Sequence, residues 1–289
     1  MADKREVDGA TQTETTGHEW DGIKELDTPM PRWWLWTFYA TIVWGLIYTI
    51  LFPAWPLLTQ ATPGLLGYSS RAEVQADIDA ARTANAPLDA RLMAADLSTV
   101  ADDPELLRFA TAGGGAVFRN QCSQCHGRGG AGALGGFPNL NDDDWLWGGT
   151  VDDIRQTVTH GIRYEADADS RYSQMPAFGE ILSGEDIDGL VQYVRSLSGL
   201  EHDAALAAGA TQTFADNCAV CHGDQGQGDR TQGAPSLRDQ IWLYGSDPET
   251  LHTTISQARF GIMPAFTGRL SEAEIAKVAV YVHSLGGGE

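Results

Sequence analysis

The chain has 289 residues, 43% hydrophobic and 20% charged, which excludes disorder throughout and suits two domains better than one. Its 39 Asp and Glu outweigh 19 Lys and Arg for a net charge of -20, which argues against nucleic acid as a partner. Only Lys4, Lys24 and Lys277 are lysines, so any hold on a lipid bilayer must be apolar rather than electrostatic.

Residues 1–32 form a hydrophilic, net acidic leader. After Arg32 the next charged residue is Arg71, and Trp33 to Phe52 supply twenty mostly apolar residues ahead of Pro53. At about 1.5 Å per residue, a helix of that length crosses the roughly 30 Å hydrocarbon core of a bilayer. Trp33, Trp34, Trp36 and Tyr39 crowd one end and Trp55 the other, where aromatic belts sit at membrane interfaces. A cleaved signal peptide would begin with a short basic region and have a shorter apolar core, so residues 33–58 read as an uncleaved transmembrane anchor. Lys4, Arg5, Lys24 and Arg32 precede it and only Arg71 follows closely. That asymmetry predicts a cytoplasmic N-terminus and an exported remainder from Thr59 onward.

Residues 59–110 read as a helical connecting arm. Pro63-Gly64 marks a turn, Ser69-Ser70 predicts a cap for a helix over Arg71 to Ala84, and Pro104 opens another toward Phe118. From residue 111 glycine-rich loops alternate with short helices, and then the pattern recurs. Phe118, Cys122, Cys125 and His126 return 96 residues later as Phe214, Cys218, Cys221 and His222. Pro138, Leu140, Trp145 and Gly148 return after 97 as Pro235, Leu237, Trp242 and Gly245, and Met175-Pro176-Ala177-Phe178 returns after 88 as Met263-Pro264-Ala265-Phe266. Two homologous domains, 111–200 and 201–289, therefore stand in tandem. The drop in offset places an insertion in the first, around Glu165 to Ser173.

Each domain contains C-x-x-C-H, the pattern of covalent c-type haem attachment: two thiols form thioethers and the adjacent histidine reaches the iron. Disulfides and zinc fit the spacing less well, and a thioredoxin-like motif needs neither the histidine nor the duplication. A second axial ligand decides between electron transfer and reactivity with small molecules. Each haem domain holds one methionine, Met175 or Met263, downstream of its histidine. A thioether favours the ferrous state and closes the position that oxygen or peroxide would need. The expected axial pairs are His126 with Met175 and His222 with Met263. His160 and His252 are not repeated, His202 falls in the linker, and His18 and His283 read as surface residues.

Each domain resembles a class I cytochrome c domain. The resemblance implies that Gly114 and Phe118 let the first helix cross the last closely at Leu190 and Tyr193, as Ala210 and Phe214 would at Val278 and Tyr281. It also implies that the carbonyls of Pro138 and Pro235 accept the histidine Nδ1 protons. The segment Asp21-Gly22-Ile23-Lys24-Glu25-Leu26-Asp27-Thr28-Pro29-Met30-Pro31-Arg32-Trp33-Trp34, then one span, an arm and two haem domains, resembles the dihaem subunit III of cbb3-type, C-family haem-copper oxidases.

The expected fold is all-α, with one N-terminal transmembrane helix followed by two tandem class I cytochrome c domains. The expected cofactors are two covalently bound haem c, held by Cys122, Cys125, His126, Met175, Cys218, Cys221, His222 and Met263. The resemblance implies an electron relay from a donor cytochrome c to the catalytic and monohaem subunits of a haem-copper oxidase in a bacterial inner membrane, with the haem domains periplasmic. A free membrane-anchored dihaem shuttle, or the cytochrome subunit of another respiratory complex, shares the same haem logic. Arg163, Tyr164, Arg171, Trp145 and Trp242 are candidate contacts to haem propionates or edges. Asp142 to Asp144 and Glu185 to Asp188 read as solvated charges, with calcium at the first run as the alternative.

Overall fold

The computed structural model describes residues 5–287; Lys4, part of the charge asymmetry flanking the span, lies outside them. The described chain falls into two compact units, divided between Thr83 and Ala84.

In the first unit the leader, to which the sequence reading gave no regular structure, forms an antiparallel hairpin of β1 (Thr15–Trp20) and β2 (Ile23–Leu26). Its turn is Asp21-Gly22, with both residues at positive φ (51° and 86°), the geometry that makes Asp-Gly a two-residue hairpin signal. Lys24 Nζ reaches Glu6 Oε2 at 2.5 Å and ties the hairpin to the preceding segment. Helix α1 (Arg32–Leu51) covers the apolar run Trp33 to Phe52 to within a residue at each end, ending short of residue 58 where the anchor was expected to end, and none of its residues is buried within the protein. It is long and apolar enough to cross a membrane. After it the chain turns back, with the Leu65 and Leu66 N–H groups donating to the Ile50 and Leu51 carbonyls, each at 3.0 Å.

Helix α2 (Ser70–Ala94) starts where Ser69-Ser70 predicted but ends ten residues later than expected. Pro87 lies inside it at the cost of one backbone hydrogen bond, and fully buried Leu92 in its last turns belongs to the core of the second unit.

The second unit is helical. Asp103 caps α3 (Pro104–Gln121) by accepting from the Glu105 and Leu106 N–H groups at 3.1 Å, with Pro104 at the first helical position. There follow α4 (Ser123–His126), α5 (Val151–His160), α6 (Gly184–Leu197), α7 (Ala204–Gly209), α8 (Thr211–Asn217), α9 (Ala219–His222), α10 (Pro248–Gln257) and α11 (Glu272–His283).

The helix partners differ from those expected. The N-terminal helix of the first repeat, α3, packs on α11 of the second, while α6 packs on α7 and α8. Phe118 meets Tyr281 with ring centroids 5.4 Å apart, and Phe214 meets Tyr193 at 4.8 Å. Gly114 is the closest point of the first crossing, since a Cβ there would land on the Lys277 carbonyl oxygen. At the second, a Cβ on Gly189 would stand 3.1 Å from that of Ala210. The physical reason lies in the linker. Only residues 198–203 separate α6 from α7, and so short a connection makes consecutive helices antiparallel neighbours. Asp203 N–H donates to Gln192 Oε1 at 2.9 Å and Arg195 Nε to the Glu201 carbonyl at 2.8 Å, which pins the turn. With α6 taken, α11 is left to cover α3.

Two cores result. One gathers Phe118, Cys122, Val151, Ile154, Val158, Phe266 and the apolar face of α11, with Met263 against it. The other gathers Leu190, Val194, Phe214, Leu251 and Ile255, with Met175 and Cys218 against it.

Two candidate haem sites built across the repeats

The two C-x-x-C-H motifs fold alike. Each occupies a single helical turn, α4 or α9, entered from the preceding helix by the Cys122→Phe118 and Cys218→Phe214 backbone bonds (2.9 and 2.8 Å). Gly127 and Gly223, at φ 73° and 78°, stop the turns, and the loops fold back so that Gly132 and Gly228 N–H donate to the His126 and His222 carbonyls (2.8 and 2.7 Å). Those loops bring round the prolines. His126 Nδ1 lies 3.1 Å from the Pro138 carbonyl and His222 Nδ1 lies 3.0 Å from that of Pro235. A carbonyl can only accept, so each Nδ1 carries the proton and each Nε2 keeps its lone pair. Burial holds both imidazoles below the usual histidine range, and the proline bond opposes it.

Among the described residues no two of the four cysteines form a disulfide, and Cys122 is buried and Cys218 half-buried. Both motifs and both methionines line one cavity of about 990 Å³, at the upper end of the range for cofactor pockets. Trp147 Nε1 and Trp242 Nε1 are buried in its wall with no hydrogen-bond partner among the described residues. Buried donors are normally satisfied, so these two are fitted to an occupant carrying acceptors, as the propionates of haem do.

The exchange of helices carries the methionines with it. Met263 belongs to the core that holds Cys122, and Met175 to the core that holds Cys218. A two-way backbone bridge fixes the first: Ile162 N–H donates to the Met263 carbonyl at 2.9 Å and Met263 N–H to that of Ile162 at 3.0 Å. Gly161 must be glycine beneath it, being at φ 75° with its missing Cβ directed at the Met263 carbonyl. On the other side, the turn Phe178–Glu180 that follows Met175 packs on α10.

The proposed propionate contacts divide. Arg171 is spent within the protein, on the Trp147 carbonyl (2.7 Å), Thr157 Oγ1 (3.1 Å), Asp153 Oδ1 and Gln156 Oε1 (2.8 Å each). Arg163 lines the cavity and donates to the Ser173 and Gly261 carbonyls. Trp145 Nε1 donates to the Gly287 carbonyl, whereas its repeat mate Trp242 keeps its donor free for an occupant. Asp144 is not the solvated charge expected: it lines the cavity, and burial, with Asp239 and Asp142 adding to it, pushes its carboxyl up to about 6. Trp147 went unremarked in the sequence, although Trp-Leu-Trp-Gly and Trp-Leu-Tyr-Gly at an offset of 97 carry it into the repeat.

Taken together, a single apolar span and two c-type haem motifs with histidine and methionine on hand define a membrane-anchored cytochrome c. Comparison with known proteins narrows this. Residues 12–59 match the family described as the N-terminal domain of cytochrome oxidase-cbb3, FixP, and residues 109–194 and 205–282 match cytochrome c oxidase, cbb3-type, subunit III. The cbb3-type cytochrome c oxidase subunit CcoP of Cereibacter sphaeroides is 58% identical over 95% of both chains. The subunits FixP of Bradyrhizobium diazoefficiens and of Rhizobium meliloti are 53% and 48% identical over the full length of both chains. The chain belongs to the subunit III family of cbb3-type cytochrome c oxidases. It is an electron-transfer subunit of the oxidase and does not itself carry out the oxygen chemistry.

Proposed function

We propose that the chain holds two haem c groups across its repeats, one on Cys122, Cys125 and His126 completed by Met263, the other on Cys218, Cys221 and His222 completed by Met175. On this reading the sequence domains 111–200 and 201–289 each supply tether and histidine to one site and methionine to the other. The bound haems supply one-electron chemistry at potentials raised by the thioether ligands. The thiols tether, the proline carbonyls fix the imidazole tautomer, the methionines close the far side of each pocket, and the apolar walls exclude water. Electrons pass from a donor cytochrome c through both sites to the monohaem and catalytic subunits. The leader is cytoplasmic, α1 is the anchor in a bacterial inner membrane, and the haem domains are periplasmic.

The observation that carries this is the sorting of each methionine into the core that holds the other repeat's cysteines. It is tested in a full-length chain whose Cys218 and Cys221 are replaced by Ser, leaving one haem. There Met263→Leu should abolish the methionine-to-iron charge-transfer band and lower the potential, and Met175→Leu should leave both unchanged. The reverse pattern would restore the pairing within each repeat.

A further inference from the structure

A second repeated motif, Trp-Leu-Trp-Gly and Trp-Leu-Tyr-Gly, brings the two repeats into contact beside the common cavity. Trp147, just ahead of α5, lies over Gly233, two residues before the proline that holds His222. Tyr244, its equivalent 97 residues later, lies over Gly136, two residues before the proline that holds His126. Both contacts need glycine: a Cβ on Gly233 would run into the Trp147 ring, and one on Gly136 would stand 2.7 Å from Tyr244 Oη. The Gly135 and Gly136 N–H groups donate to the Leu243 carbonyl at 3.0 and 3.1 Å, so the second contact is held by backbone as well.

Behind each ring stands an arginine from its own repeat. The Arg171 guanidinium carbon lies 6.0 Å from the Trp147 ring and that of Arg259 lies 4.7 Å from the Tyr244 ring. These arginines are equivalent at the offset of 88, and each hydrogen-bonds an equivalent threonine, Thr157 or Thr254, at 3.1 Å. Each also stands four residues ahead of its methionine, so the chain is anchored to its own repeat at the arginine and has joined the other core by the methionine.

We propose that Trp147 and Tyr244 are the spacers between the two haems: each ring, clamped between its own repeat's arginine and the other repeat's glycine, sets how far apart the irons stand and so how fast an electron passes between them. This rests on the two-haem reading above but not on which methionine serves which iron. Trp147 is 8% exposed and Tyr244 is half-buried, and both rings line the common cavity.

The test uses the full-length dihaem protein in detergent, with Gly233→Ala and Gly136→Ala. Each should weaken the magnetic interaction between the two ferric low-spin haems in electron paramagnetic resonance and slow electron exchange between them, while both haems stay covalently bound with intact methionine-to-iron bands. Adding Trp147→Leu to Gly233→Ala should restore part of the interaction by making room for the new methyl group, a rescue that general destabilisation would not give. Should the alanine variants fail to take up haem, Trp147→Leu and Tyr244→Leu alone should change the interaction. Interaction and exchange equal to the parent's in dihaem-loaded variants would overturn the spacer role. Loss of a methionine-to-iron band in the parent would instead count against the ligation reading.

Discussion

Lys277 carries a positive charge into the core beneath α3. It is 8% exposed, its Nζ stands 4.5 Å from the Phe109 ring centroid, and Asp89 Oδ1 lies 2.5 Å from it, in an ionic contact without hydrogen-bond alignment. Removing one partner of a buried pair strands the other charge. Because the Asp89 side chain is 30% exposed, Asp89→Ala is expected to cost about 2 kcal/mol, below the full penalty for a buried pair. The double variant Asp89→Ala with Lys277→Met should regain most of it in thermal melting; a double variant as unstable as the single would deny that the stranded charge is the cause. Asp144 makes an opposite case. Its folded value of about 6 lies above the ordinary 3.8, so the folded chain binds this proton more tightly than the unfolded one. Its contribution to stability is then full below about pH 4 and is lost as the pH rises toward about 6. Asp144→Asn should flatten that part of the melting-temperature profile, and an unchanged slope between pH 4 and 6 would contradict it.

Among the elements, the sequence made the helices legible but not their partners. Ser183 and Ser271 both cap their helices with full capping boxes, closed by Asp186 and Glu274, and α6 and α11 bury equivalent faces at Leu190 with Tyr193 and Val278 with Tyr281. Periodicity reveals which face of a helix is apolar, not which of two similar helices lies across from it, so the short linker at 198–203 was the deciding signal. The haem turns were legible because cysteine and histidine have a fixed local duty there, and their proline partners came from the resemblance to class I cytochromes c. The leader hairpin was missed: its signal was Asp21-Gly22, and alternation over so few residues is faint. Gly114→Ala tests the exchanged crossing. The new methyl group would strike the Lys277 backbone, which cannot rotate away, at an expected cost of about 2–3 kcal/mol, and haem retention should suffer at Cys122 and Cys125 before Cys218 and Cys221. Equal losses at both sites would mean that α11 serves both cores alike.

For the molecule as a whole, charge and topology give the remaining expectations. A net charge of -20 should draw a lysine-rich donor cytochrome toward the haem domains, with the attraction screened over a Debye length of roughly 10 Å at 0.1 M salt. Stopped-flow reduction should therefore slow as ionic strength rises, and a flat or rising rate would point to an apolar docking patch instead. Protease added to intact spheroplasts should remove the haem domains and spare the leader, and protection of the haem domains would reverse the proposed orientation.

The exchange of the last helix and methionine also has a consequence for biogenesis. As the chain is synthesised, Cys122, Cys125 and His126 appear long before Met263, the methionine sorted to their core. On the proposed ligation, a ribosome that stops short of Met263 would leave a product in which α3 lacks its partner α11 and the first site lacks its thioether. Translation of the second repeat would then be a checkpoint on the first, and either half of this gene expressed alone is expected to fail as an electron carrier.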